Sequence, residues 1–249
     1  MKRSLTAIFC VLAFSGTAQA ETWTIRADNW CPYNCEPQSA NPGYMIEILE
    51  QTAKASGNTL DYKHLPWSRA LDDARNGTIT GVVGVTDGDR TGLVLSEKMG
   101  VDDGCFFVSE GSTFKYTGPK DLAKLGSVGV TQDYVYSDEF TEWRKTNEGK
   151  IQSVVGNNTI ETNAKKVKAG RIQAFLENSN VVGHARKTIP ELKGVVSSGC
   201  LSSSPLYIGI SAKNPKATEI TKLVNARVAD MKKSGELKKI LDKYGMSAW

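Results

Sequence analysis

Two hydrophobic rhythms alternate along the chain. Glu21 to Ala27 (ETWTIRA) sets apolar and polar side chains in turn, a period of two that predicts a strand. Tyr44 to Ser56 places Met45, Ile46, Ile48, Leu49, Thr52 and Ala53 at helical spacing, and Gly57 stops the pattern. Leu60 to Leu65 reads as a second strand. A second helix opens at Pro66-Trp67 and ends at Asn76-Gly77, with proline early and glycine late. Gly81 to Val85 is a short apolar run of small residues, a strand that breaks into a polar loop ending at Gly92. Strand, helix, strand, helix, strand predicts a parallel sheet with helices packed on it. Ligands bind off the carboxyl ends of such strands.

The alternation then begins again. Strands are predicted at Cys105 to Ser109, Ser127 to Thr131, Ile151 to Val155 and Ile172 to Leu176. Helices are predicted at Pro119 to Leu125, at Ser137 to Thr146 with Ser137 as cap, at Asn158 to Ala169, and at Val181 to Ile189. Val195 to Leu206, rich in Ser and Gly, reads as a crossing segment. Leu206 to Ser211 is a strand, Ala217 to Lys233 an amphipathic helix, and Glu236 to Tyr244 a closing helix. The fold class is α/β, built from two alternating units.

The N-terminus changes the picture by setting a compartment. Lys2 and Arg3, an apolar stretch from Leu5 to Phe14, and Ala18-Gln19-Ala20 have the order of a secretory signal peptide over residues 1–20. Cys10 falls within it as an apolar residue. The remainder, 21–249, suffices for one large or two small domains. The net charge of +4 becomes nearly neutral without Lys2 and Arg3, so nucleic acid is not an indicated partner. Cys31, Cys35, Cys105 and Cys200 form an even set for an oxidising compartment. Three pairings are possible; local closure of Cys31 with Cys35 leaves Cys105 with Cys200. Cys105 and Cys200 are too far apart in sequence to suggest a four-thiolate metal site. His64 and His184 have no Ser or Cys partner set that would make a triad. Arg69 reads as a solvated helix charge.

Candidate chemistry gathers at the strand ends. Asp28 and Trp30 follow the first strand, Trp67 the second, and Thr86 and Arg90 the third, so they converge on one edge. The planar fork of Arg90 suits a carboxylate. Tyr134 follows a strand of the second unit, and Glu177 and Asn178 follow another.

Several stretches together resemble bacterial extracellular solute-binding proteins of family 3, the polar amino-acid type. They are Trp30, Pro32 and Tyr33; Gly43-Tyr44-Met45-Ile46-Glu47-Ile48; Pro66-Trp67; Gly84-Val85-Thr86 ahead of Asp89-Arg90; Val128-Gly129-Val130; Ala169-Gly170-Arg171-Ile172 leading to Glu177-Asn178; and Met231 to Leu237. The resemblance spans nearly all of 21–249. It implies a two-lobed, type II periplasmic-binding fold with two crossing hinge strands, Cys105 to Ser109 and Leu206 to Ser211. Lobe 1 would be 21–108 with 205–249, and lobe 2 would be 109–204. It further implies a small carboxylate-bearing solute held by Arg90, with Gly84, Thr86 and Asp28 beside it and Trp30 and Trp67 stacked on its side chain. In lobe 2 the sequence departs from the family pattern, offering Tyr134 for a small hydroxyl and Asn178, preceded by Glu177, for an aspartate. Two Trp and a Tyr suggest a larger, flatter or cationic ligand. The expectation is a monomeric periplasmic solute-binding protein, without metal or cofactor, serving an ABC-type membrane permease. The alternatives are a dehydratase of the same fold with Glu177 as acid or base, and a sensing module for a membrane receptor.

Overall fold

The computed structural model describes residues 20–249. The expected signal peptide lies, but for Ala20, outside the described residues. The first part of the chain forms β1 (Thr22–Ala27), α1 (Tyr44–Ala55), β2 (Thr59–His64), α2 (Trp67–Asn76), β3 (Gly81–Val85), β4 (Leu93–Leu95) and β5 (Gly100–Asp102). The middle forms β6 (Gly104–Ser109), β7 (Val128–Thr131), α3 (Asp138–Lys145), β8 (Ile151–Val154), α4 (Thr159–Lys168), β9 (Ala174–Asn178), α5 (Ser179–Ala185) and β10 (Val195–Cys200). The last part forms β11 (Ser204–Ser211), α6 (Ala217–Ser234) and α7 (Glu236–Tyr244).

Two sheets result. The first has the order β2-β1-β3-β11-β4, with β5 also paired to β11; the second has the order β10-β6-β9-β7-β8. β3 is apolar throughout because both its faces are covered. Val83 joins the core with α1 and α6, while Val82 and Val85 pack with Trp67 and Leu71 of α2. In β6 the alternation divides two cores. Phe106 and Val108 pack with Val130 and Phe140, and Cys105 and Phe107 pack with Ala164 and Val167 of α4.

The C-terminal helices belong to the first lobe. Ile220, Val224 and Val228 of α6 share a core with Ile48 and Leu49 of α1. Tyr244 and Lys243 of α7 donate to the Glu47 carboxylate at 2.6 and 2.7 Å.

The chain changes sheets at Asp103 and again across 201–203. The first passage precedes the boundary expected after Val108, because β6 is already zipped to β9 and β10 along its length. Of the expected crossing strands, one therefore lies in the second sheet and the other in the first. Val195 to Cys200, read as a crossing segment, is a strand antiparallel to β6. β9 also begins and ends later than expected, so Glu177 and Asn178 lie within it. Its pairing with β6 continues through Glu177 opposite Cys105 and Asn178 opposite Gly104. β4 and β5, three residues each, are too short to show a period. Both expected disulfides are present, Cys31–Cys35 and Cys105–Cys200.

The Cys105–Cys200 bond spans a sequence separation of 95 and the Cys31–Cys35 bond one of 4. Loop-closure entropy therefore assigns about 4–5 kcal/mol to the first and about 2 kcal/mol to the second. Replacing Cys105 and Cys200 by Ser should lower the denaturant midpoint more than replacing Cys31 and Cys35. Circular dichroism of the two double variants in a urea series measures this, and equal or reversed losses would contradict it.

Candidate functional site

The first lobe contributes three strand ends. Beyond β1 the chain turns at once, and the Cys31–Cys35 disulfide closes the turn. Trp30 stacks on Tyr33 with centroids 4.4 Å apart, and the Asn34 amide donates to the Asp28 carbonyl at 2.6 Å. These contacts fix Asp28 and Trp30 at the sheet edge. Trp67 is the first residue of α2. Gly84 sits at φ 81°, where the register of β3 against β11 shifts. That bulge needs the left-handed conformation that glycine supplies. A Cβ there would lie 3.5 Å from the Trp30 ring, so the bulge brings bare backbone against the indole.

These elements enclose a cavity walled by Asp28, Trp30, Asn34, Trp67, Gly84, Thr86, Asp89, Asp102 and Tyr134. It leaves about 30 Å³ free, room on the scale of a water. The second lobe contributes Tyr134 to these walls. Its ring meets Trp30 and Trp67 in T-shaped geometry, with centroids at 6.3 and 6.4 Å, and its hydroxyl donates to Asp28 Oδ2 at 2.5 Å. A reciprocal bond lies beside it. Trp30 Nε1 of the first lobe donates to Glu177 Oε1 of the second at 2.8 Å. The lobes are thus joined by two aromatic–carboxyl hydrogen bonds, one donor from each side.

Asn178 holds a structural position as well. Its Oδ1 accepts from the backbone of Asn180 and Val181 at the start of α5, at 2.8 and 3.2 Å. Its Nδ2 donates to Asp102 Oδ1 at 2.8 Å and to the Tyr33 hydroxyl at 3.2 Å.

Burial dominates the electrostatics. It raises Glu177 from 4.5 to about 8, against the bonds from Trp30 and the Asn178 amide. It raises Asp28 from 3.8 to about 6, opposed by the Tyr134 bond, and Asp102 likewise to about 6, opposed by Asn178. Asp89 is also raised by burial. No Lys, Arg or His is among the cavity's walls.

Of the expected site residues, Glu177 and Asn178 stand behind the walls, bonded to Trp30 and Asp102, and Arg90 joins neither group. Its side chain is 66 % exposed and its guanidinium stands 3.6 Å from Asp87. The reason is local. Residues Asp87–Asp89 form a short 3-10 turn with a capping box, in which the Thr86 hydroxyl and amide both donate to Asp89 Oδ2, at 2.8 and 3.2 Å. The box draws Asp89 into the protein and leaves the next residue, Arg90, on the outside. It also engages the Thr86 proton that was expected to face a solute. Asn34, Asp89 and Asp102 were not anticipated as walls. The spacing of Thr86 and Asp89 was a readable capping signal; the brief strand holding Asp102 carried none.

Comparison with known proteins agrees with this architecture. Residues 24–247 match the bacterial extracellular solute-binding proteins, family 3, and the chain belongs to that family. A probable histidine-binding protein of Neisseria gonorrhoeae is 23 % identical over 215 residues, covering 81 % of this chain and 74 % of that protein. Among solved structures, a histidine kinase sensor domain similar to periplasmic binding proteins superposes with a TM-score of 0.75 at 15 % identity, covering 90 % of this chain and 95 % of that one. An ancestral arginine-binding protein bound to arginine gives 0.73 at 20 % identity, covering 90 % and 97 %. The fold is that of the type II periplasmic-binding proteins.

The raised carboxyls set a pH dependence. A carboxyl whose pKa is higher folded than unfolded holds extra protons in the folded state. Its favourable contribution is full below the unfolded value, near 4.5 for Glu177, and is lost as pH rises through about 8. Thermal midpoints should therefore fall as pH rises from about 4.5 to about 8. Glu177→Gln, whose amide oxygen can still accept from Trp30, should flatten part of that fall. A slope identical to that of the unaltered protein would contradict the assignment.

Proposed function

We propose that this family-3 solute-binding protein is a periplasmic receptor that traps a small organic solute between its lobes and presents it to an ABC-type membrane permease. The observation that carries the reading is the pair of reciprocal hydrogen bonds across an aromatic cavity at the sheet edges. A solute that enters must displace Tyr134 from its contacts with the two indoles and supply contacts of its own to both lobes. A hydrogen bond between neutral groups contributes about 0.5–1.5 kcal/mol and one to a charged group about 1.5–3 kcal/mol. Breaking and replacing two of them is a modest change, of the size a solute's differential affinity can drive. The binding residues in this reading are Asp28, Trp30, Trp67, Gly84 and Thr86 from the first lobe, with Tyr134, Glu177 and Asn178 from the second.

Closure brings the lobes into direct contact at Gly88 and Val135, where any side chain at position 88 would collide with Val135. Protein purified without unfolding should release a small organic molecule on denaturation, identified by mass spectrometry. The same molecule, added back and recovered, should be chemically unchanged. Gly88→Leu should weaken its binding at least tenfold and raise the radius of gyration in solution scattering, with little change in circular dichroism. Conversion of the molecule to a product would replace the receptor reading with the dehydratase one, with Glu177 as the acid.

A further inference from the structure

The hydrogen-bonding inventory of this cavity is one-sided. Asp28, Asp89 and Asp102 bring carboxyl groups to its wall. The neighbouring donors are engaged within the protein: Trp30 Nε1 on Glu177, the Tyr134 hydroxyl on Asp28, and the Thr86 hydroxyl on Asp89. Asn34 adds an independent sign. It is 1 % exposed, and its Oδ1 has no hydrogen-bond partner. Because its Nδ2 donates to the Asp28 carbonyl, the orientation of the amide is set and the free atom is the acceptor. That oxygen borders the Gly84 bulge, 3.9 Å from where a Cβ would stand. A buried acceptor without a donor costs free energy that an entering N–H would recover.

The positive side chains nearby are all turned to other tasks. Arg90 is exposed beside Asp87. Arg75 donates to the backbone carbonyls of Asp89 and Thr91 from outside the loop. His64 lies against the Cys35 carbonyl and Glu36. A solute carboxylate placed in the cavity would meet three aspartates and no cation, which is the unfavourable arrangement for a desolvated anion. A cation would meet those same groups, together with two indoles and a phenol suited to cation–π contact. Among the described residues no three acidic, His or Cys side chains converge as metal ligands would. The site therefore suits a spread organic cation over a metal ion. Tyr134 foreshadows that occupant, as one proton donor in T-shaped contact with both indoles and pointed at Asp28.

Resting on the receptor reading above, we infer that the cleft selects an organic cation with N–H groups, a primary ammonium or guanidinium, and holds it without gripping a carboxylate. Calorimetric titration of the mature protein with matched probes tests this. The probes are agmatine against arginine, cadaverine against lysine, and tetramethylammonium as a cation lacking N–H. Agmatine or cadaverine should bind at least as tightly as its carboxylated counterpart, and tetramethylammonium at least tenfold more weakly. Asp28→Asn, which keeps an acceptor for Tyr134, and Trp67→Leu should each weaken binding at least fivefold. Arg90→Ala should change it by less than twofold. Tighter binding of arginine or lysine, with the advantage lost in Arg90→Ala, overturns the inference and leaves the receptor reading standing. Absence of binding by every probe also overturns it, while the molecule released from natively purified protein judges the receptor reading separately.

Discussion

The cleft depends on holding carboxyl groups out of water with no basic side chain among the walls to pair with them. Burial above all makes Asp28 and Glu177 reluctant to ionise, and the Asp102 and Asp28 carboxyls add to the effect at Glu177. Two aromatic donors make the arrangement tolerable, because indole N–H and phenol O–H satisfy an oxygen while presenting an apolar body to the core. Each donor comes from the lobe opposite its acceptor. The electrostatic cost in each lobe is thus relieved in part by contact with the other, alongside local bonds such as that from the Asn178 amide to Glu177. The rest of the site follows from it: the Trp30–Tyr33 stack, the disulfide that stiffens the turn, and the glycine bulge that lets backbone approach the indole.

Much of the fold could be read in the chain because its signals were long and periodic. β1, α1, α2, β3, α6 and α7 lie within a residue or so of where the pattern places them. The failures share a cause. β4 and β5 are shorter than one clear alternation, and in edge strand β10 Ser197 is exposed while Ser198 is buried on the Phe114 carbonyl, which blurs the hydropathy pattern. β9 keeps its ladder through Glu177 and Asn178 because both side chains find buried partners, something no hydropathy pattern contains.

The site was partly readable for a related reason. Strand-end logic brought Asp28, Trp30, Trp67, Gly84, Thr86 and Tyr134 to one place. It failed at Arg90, where a three-residue turn decides which of two adjacent charged side chains faces inward. Thr86 captures Asp89, and the guanidinium follows the chain outward. A family likeness carries the order of residues faithfully, but the direction of a side chain is set by the hydrogen bonds next to it.

The Cys105–Cys200 bond bears on motion as well as on stability. It ties β6 to β10 just where each strand leaves the interlobe passages at Asp103 and 201–203. The two passages therefore begin from a single fixed footing in the second lobe, like two straps riveted to one plate. Sliding one past the other would shear that rivet, whereas bending both together leaves it undisturbed. Any motion of one lobe against the other would thus have to bend the two passages in concert, with the bond as their common anchor.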